Sequence, residues 1–97
     1  MWKFNEIING NTITVVPTWN WEGQSGNKVR ISGYNTVVKN LPDDIANQIA
    51  MNRLKNLLTN KELSLVSPTK AESGILHCEV LLNGVSLSKY FSDFEQE

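Results

Sequence analysis

Hydrophobic and polar positions alternate over the first third of the chain, recur at three- and four-residue spacing in the middle, and alternate again later. Period two places neighbouring side chains on opposite faces of a strand, and a spacing of three and four places them on one face of a helix. Trp2, Phe4, Ile7 and Ile8 predict a first strand, with a bulge where Glu6 breaks the alternation. Asn9-Gly10-Asn11 is a hairpin-turn signal. Thr12 to Val16 is β-branched throughout, which favours a second strand. Pro17, which cannot donate to a ladder, is expected to end it. Thr18 to Asn27 reads as a polar, glycine-containing loop that carries Trp19 and Trp21. In a third strand Val29 and Ile31 share one face, and Lys28, Arg30 and Ser32 the other, so Arg30 points away from the core.

A helix start follows at Asn40-Leu41-Pro42-Asp43-Asp44. Asn40 or a near neighbour is the expected cap, proline is tolerated in the first turn, and the aspartates suit the positive end of the dipole. Ile45, Ala46, Ile49, Ala50, Leu54, Leu57 and Leu58 give the helix one apolar face, to about Thr59-Asn60. Leu63 and Leu65 mark a fourth strand, and Ser67 to Ser73 a loop. Leu76, Cys78, Val80 and Leu82 alternate with Ile75, His77, Glu79 and Leu81 in a fifth. Asn83-Gly84 is a tight turn, and Ser86 can cap a last helix with Leu87, Tyr90, Phe91 and Phe94 on one face. Three strands, a helix, two strands and a helix predict an α+β chain built on a small closed barrel plugged by a helix.

Composition narrows the class. At 97 residues the chain is one domain with one modest core, and no apolar run is long enough to cross a bilayer. The first residues contain no signal-peptide h-region, which predicts a cytoplasmic protein. The single cysteine rules out an internal disulfide framework and a cysteine-based metal cluster. Net charge is −1, whereas a domain that grips nucleic acid by its backbone usually carries a basic surplus. The charge is uneven: residues 1–40 carry a surplus of two positive groups and residues 41–97 of three negative ones. That leaves open either a small basic N-terminal face or a mixed, solvated surface.

Three motifs in this order resemble the thermonuclease, or SNase-like, family. Its Asp-Gly-Asp-Thr followed by a hydrophobic strand matches Asn9-Gly10-Asn11-Thr12-Ile13. Its Val-Arg-Leu-x-Gly-Ile-Asp-Thr-Pro-Glu matches Val29-Arg30-Ile31-Ser32-Gly33-Tyr34-Asn35-Thr36-Val37-Val38. Its Gly-Arg, strand, Asn-Gly and helix match Gly74-Ile75, Leu76 to Leu82, Asn83-Gly84 and Val85 onward. The resemblance covers nearly the whole chain and implies an OB-fold, a five-stranded barrel with a helix between strands three and four and a short C-terminal helix.

The departures from that pattern fall on its chemistry. The family's calcium ligands correspond to Asn11, Asn35 and Thr36, where both carboxylates have become amides, and charge count sets calcium affinity. The catalytic glutamate corresponds to Val38 and the second arginine to Ile75, leaving Arg30 as the one matching catalytic residue. Losing the base, the metal and one cation removes the effects that lower the barrier to phosphodiester hydrolysis. Asp43 and Asp44 read as helix-start residues, not replacements. The family's further C-terminal helix has no counterpart after Phe94. The resemblance therefore implies an inactive member without a cofactor.

Other candidates keep two readings each. Trp19 and Trp21 could stack bases, as aromatics on OB-folds do, or cap the open end of the barrel with Trp2. Arg30 could take a phosphate or carboxylate, or pair with Glu22 or Glu79. His77 and Cys78 face opposite ways on a strand and cannot form a dyad; Cys78 reads as core and His77 as surface. Lys28, Lys39, Glu95 and Glu97 read as solvated, with fraying at the two glutamates. The expected role is a binding or interaction module for a protein partner, or for a second copy. Weak binding of single-stranded nucleic acid through Arg30, Lys28, Lys39, Trp19, Trp21, Asn35 and Thr36 is the alternative, and a residual calcium-dependent phosphodiesterase the third reading. No membrane role is expected.

Overall fold

The first hairpin forms at the expected turn, joining β1 (Trp2–Asn9) to β2 (Thr12–Trp21) in antiparallel register. The computed structural model describes residues 1–97. β1 skips Asn5 between the Phe4–Val15 and Glu6–Thr14 pairs, so the bulge lies one residue before Glu6. β3 (Gln24–Ile31) pairs with β2, α1 (Asp43–Leu58) follows, and β4 (Glu62–Glu72) and β5 (Ile75–Leu82) form a second hairpin. β1 meets β4 at Trp2 and Lys3, and β3 runs parallel to β5 from Lys28 to Ile31, which closes a five-stranded mixed barrel. A two-residue strand, β6 (Val85–Ser86), adds to β5, and a 3-10 helix (Leu87–Phe91) ends the regular structure. The architecture is α+β and OB-like, as the element order predicts. No helix is long and apolar enough to cross a membrane.

Inward positions of the strands fill the barrel: Ile13, Val15, Val29, Ile31, Leu63, Cys78 and Val80 are buried, and α1 closes one end with Ala46, Ala50, Leu54 and Leu58. The two alanines let the helix approach the first turn closely. A Cβ added to Gly10 would lie 2.8 Å from the Ala50 Cβ and 2.6 Å from the Thr36 methyl.

Five expectations are corrected. First, Pro17 does not end the second strand, and Thr18 to Asn27 is not a loop. β2 continues to Trp21, turns at Glu22-Gly23 and returns as β3. The β2–β3 register shifts between Thr14 and Trp19, so Pro17 sits in an irregular stretch where no β3 ladder bond is asked of it. Second, Ser67 to Ser73 is not a loop, because β4 runs through Pro68 to Glu72 with the same kind of shift between Val66 and Lys70. Third, Asn40 does not cap α1. It has a positive φ in the preceding turn, and Pro42 takes the cap position without a side-chain bond. Fourth, Ile45 and Ile49 are exposed, because the buried stripe of α1 is only one side chain wide. Fifth, the last helix is shorter than predicted, and Ser86, the last residue of β6, takes its cap position as expected but makes no side-chain bond to it. Tyr90 is exposed, and Phe94 reaches the core after the chain has turned.

Candidate functional site

The end of β3 and the loop after it collect the polar residues singled out in the sequence. Strand alternation aims Val29 and Ile31 inward and leaves Arg30 on the outer face. The first hairpin brings Asn11 alongside, with Thr12 opposite Arg30 in register. Gly33, at φ +110°, turns the chain so that Asn35 comes back towards the guanidinium. Arg30 Nη2 donates to Asn35 Oδ1 at 3.2 Å, and Nη1 donates to the Ile31 carbonyl. The Asn11 amide satisfies its neighbours when its oxygen accepts from Arg30 Nε and Nη2, each at 3.3 Å, and its nitrogen donates to Asn9 Oδ1.

Two carboxylates complete the cluster. Glu97 Oε2 accepts from Arg30 Nη2 at 3.1 Å, and Glu97 Oε1 accepts from the Gly33 N–H at 2.6 Å. Glu95 Oε1 accepts from Asn35 Nδ2 at 2.9 Å. The backbone of this segment pairs with the loop as a short antiparallel strand. Asn35 N–H donates to the Glu95 carbonyl, Glu95 N–H to the Val37 carbonyl, and Glu97 N–H to the Gly33 carbonyl. Both glutamates are exposed, as predicted, but their backbone is paired and not frayed, and Arg30 pairs with Glu97 instead of Glu22 or Glu79. The positive guanidinium and the free Gly33 N–H explain this choice, since together they offer a carboxylate one donor for each oxygen.

The remaining candidates stand apart from this cluster. Thr36 lays its methyl against Gly10, and half-buried Val38 packs on the core. Ile75 opens β5, opposite Lys28 and Glu72. Lys28 shares the outer face of β3 with Arg30, whereas Lys39 lines a hollow with Asp93 and Glu95, so its charge is set among carboxylates. Trp19 is buried, resting on Gly26 and donating its indole N–H to the Lys28 carbonyl at 2.8 Å. Trp2 and Trp21 are half-buried beside it, and the three line a cavity of about 80 Å³ with Leu65, Pro68 and Leu76. The Trp2 indole N–H is buried there without a partner.

His77 lies outside the barrel between Arg30 of β3 and Lys70 of β4 in register, 3.9 Å from Glu72. Burial, then Lys70 and Arg30, hold its pKa below the usual imidazole value, against Glu72 and Glu97. Cys78 faces the core, where burial pushes its thiol up to about 12 and leaves it a small hydrophobe, not a nucleophile.

An aromatic group underlies the whole arrangement. Tyr34 stacks on Phe91 at 4.2 Å, Phe94 meets both edge-on, and the Tyr34 hydroxyl donates to the Gly10 carbonyl at 2.8 Å. Burial raises the Tyr34 pKa, so the hydroxyl stays a donor. Arg53 lies over Phe91 and Phe94 and holds Asp93 with two hydrogen bonds, which fixes where the Glu95–Glu97 segment begins.

Asn11, Arg30 and Asn35 are brought together as the motif order predicts. Gly33 N–H, Glu95 and Glu97 are the partners that sequence reasoning missed. The group can hold a carboxylate by charge and by directed hydrogen bonds. The amide oxygens of Asn11 and Asn35, which would be the ligands of a cation, are both turned to the guanidinium. No protein-family model matches this chain, and no curated protein matches it.

Proposed function

We propose that the chain is a catalytically inactive relative of the thermonuclease family that serves as a cytoplasmic binding module for a protein partner. The OB-like barrel, with its helix between the third and fourth strands, supports the family reading. The observation that carries the inactive reading is the state of Arg30. Its guanidinium is committed to Glu97, Asn35, Asn11 and the Ile31 carbonyl, and the two amide oxygens at the family's metal positions point at it. Val38, where the family places its general base, cannot accept a proton. Ile45 and Ile49 stand exposed one turn apart on α1, with Leu41 exposed just before the helix, and such apolar side chains suit a protein surface better than a phosphate backbone.

The nucleic-acid alternative would use Lys28 and Arg30 on the outer face of β3 together with Trp21. Burial of Trp19 and the carboxylates around Lys39 weigh against it. Two measurements test the reading together. Single- and double-stranded DNA and RNA are incubated with the protein in calcium and then in chelator, and no calcium-dependent cleavage is expected. A single-stranded oligonucleotide is titrated at low salt while tryptophan fluorescence is followed, with half-buried Trp2 and Trp21 as reporters. No salt-sensitive quenching is expected. Calcium-dependent cleavage would overturn the inactive reading, and quenching that fades with salt would favour nucleic acid as the partner.

A further inference from the structure

The loop Gly33–Val37 offers a strand edge with a positive end, and the chain's own Glu95–Glu97 lies on it. Three main-chain hydrogen bonds hold the segment, and residues two apart send their carboxylates to the same side. One carboxylate bridges Arg30 and the Gly33 N–H, and the other accepts from Asn35 Nδ2. The edge thus reads a simple pattern, an extended backbone with glutamate at alternate positions. The side chain between them, Gln96, folds back to the Phe91 and Phe94 carbonyls and takes no part.

The side chains of this segment fill no part of the core, and two hydrogen bonds from the Gln96 amide to the Phe91 and Phe94 carbonyls are what tie it there. Glu95, Gln96 and Glu97 are all exposed, while Phe94, just before them, is buried in the aromatic cluster and held there by its neighbours. The carboxylate contacts are part-exposed ion pairs and hydrogen bonds, which are individually weak and screened by salt. The segment can therefore lift off while Phe94 stays seated.

We infer that the Gly33–Val37 edge, with Arg30 at its end, is a docking site for an acidic extended segment of a partner protein. Such a segment carries Glu-x-Glu and adds as a strand, and Glu95–Glu97 occupies the edge until it is displaced. This rests on the binding-module reading and names the chemistry of its partner. Strand addition takes its affinity from main-chain bonds and its selectivity from alternate side chains, which is the division of labour seen here. The tethered occupant competes at an effective concentration of about millimolar, so it shields the edge from weak acidic segments and yields to a tighter one.

The test uses the whole chain and a fluorescein-labelled peptide, Ser-Asp-Phe-Glu-Gln-Glu, followed by fluorescence polarisation at low salt. The double variant Glu95→Gln/Glu97→Gln, at two exposed positions, is expected to keep its fold and to hold its own segment less tightly. It is expected to bind the peptide about tenfold more tightly than the parent, because the tethered competitor is weakened. A peptide with glutamine at both recognised positions is expected to bind at least tenfold more weakly, and added salt to erase the signal. Adding Arg30→Gln to the double variant is expected to abolish binding, with near-ultraviolet circular dichroism reporting the fold. If that variant unfolds, Arg30→Lys, which keeps the charge but loses the planar fork, is expected to weaken binding instead. Equal binding by parent and double variant, no binding by the double variant, or equal binding of the glutamine peptide would each overturn the inference. So would displacement of the peptide by an oligonucleotide at lower concentration. Failure of the binding-module reading shows in the cleavage assay, and failure of this inference in the peptide titration.

Discussion

Gly10 is the residue on which the first hairpin and the helix agree. Its N–H donates to Asn47 Oδ1 at 2.8 Å, its carbonyl accepts from Tyr34, and a Cβ there would meet Thr36, Ala50 and Asn47 all within 2.8 Å. Two of those neighbours belong to α1, which cannot give way without losing the packing of Ala46 and Leu54 behind it. Gly10→Ala is therefore expected to overpack the junction and destabilise the fold by about 1–3 kcal/mol. For a domain of this size each kcal/mol lowers Tm by roughly 4–8 °C, so thermal denaturation reads the effect directly. A variant melting within a degree of the parent would show that the helix yields after all. At this scale the sequence was only partly informative. Asn-Gly-Asn predicts a turn, and motif order places Asn11, Arg30 and Asn35 together. Nothing local points to Glu95 or Glu97, whose hydrogen-bond partners lie 60 or more residues away in the chain. Their spacing of two, which fits an extended segment, is the one signal that could have found them.

The strands and the helix show what periodicity reads well and what it misreads. β5 alternates cleanly because it lies inside the barrel wall, with Leu76, Cys78, Val80 and Leu82 all buried. Two prolines lie within strands for one shared reason. Pro17 and Pro68 each interrupt a strand that continues beyond them, because each falls in a register shift where the neighbouring ladder bond is already absent. Thr18-Trp19-Asn20-Trp21 alternates as a strand should, and the proline obscured it. In α1 the apolar positions are more numerous than the barrel end can cover. Leu54 is fully buried, whereas Ile45 is 47% exposed. Leu54→Ala is expected to cost about 2–5 kcal/mol, the range for truncating a buried leucine. Ile45→Lys is expected to change stability by no more than about 0.5 kcal/mol, as surface substitutions do. Urea denaturation of the two variants makes the comparison. A large loss at Ile45 would mean that this face is covered in solution, and self-association would then be visible in sedimentation.

Closure of the barrel brings together groups that no single element contains, and His77 reports on that closure. It sits on β5, with Arg30 of β3 and Lys70 of β4 opposite it in register, and with Glu72 and Glu97 as the nearby carboxylates. Burial, together with the two cations, makes protonation harder in the folded chain than in the unfolded one. Between the lowered folded value and the ordinary imidazole value of about 6.5, the unfolded chain binds more protons, so stability rises with pH across that interval. The contribution is fully present above about pH 6.5 and is lost as pH falls through the folded value. Below that range Asp93 adds its own loss. Its hydrogen bonds from Arg53 hold its pKa below the usual carboxylate value, so its contribution disappears only in stronger acid. The two effects therefore separate on the pH axis. Urea midpoints measured from pH 7.5 down to 5 are expected to fall for the parent and to stay flatter for His77→Gln, which has nothing to protonate there. Equal slopes in parent and variant would show that imidazole, guanidinium and ammonium are not held together as the closed barrel requires.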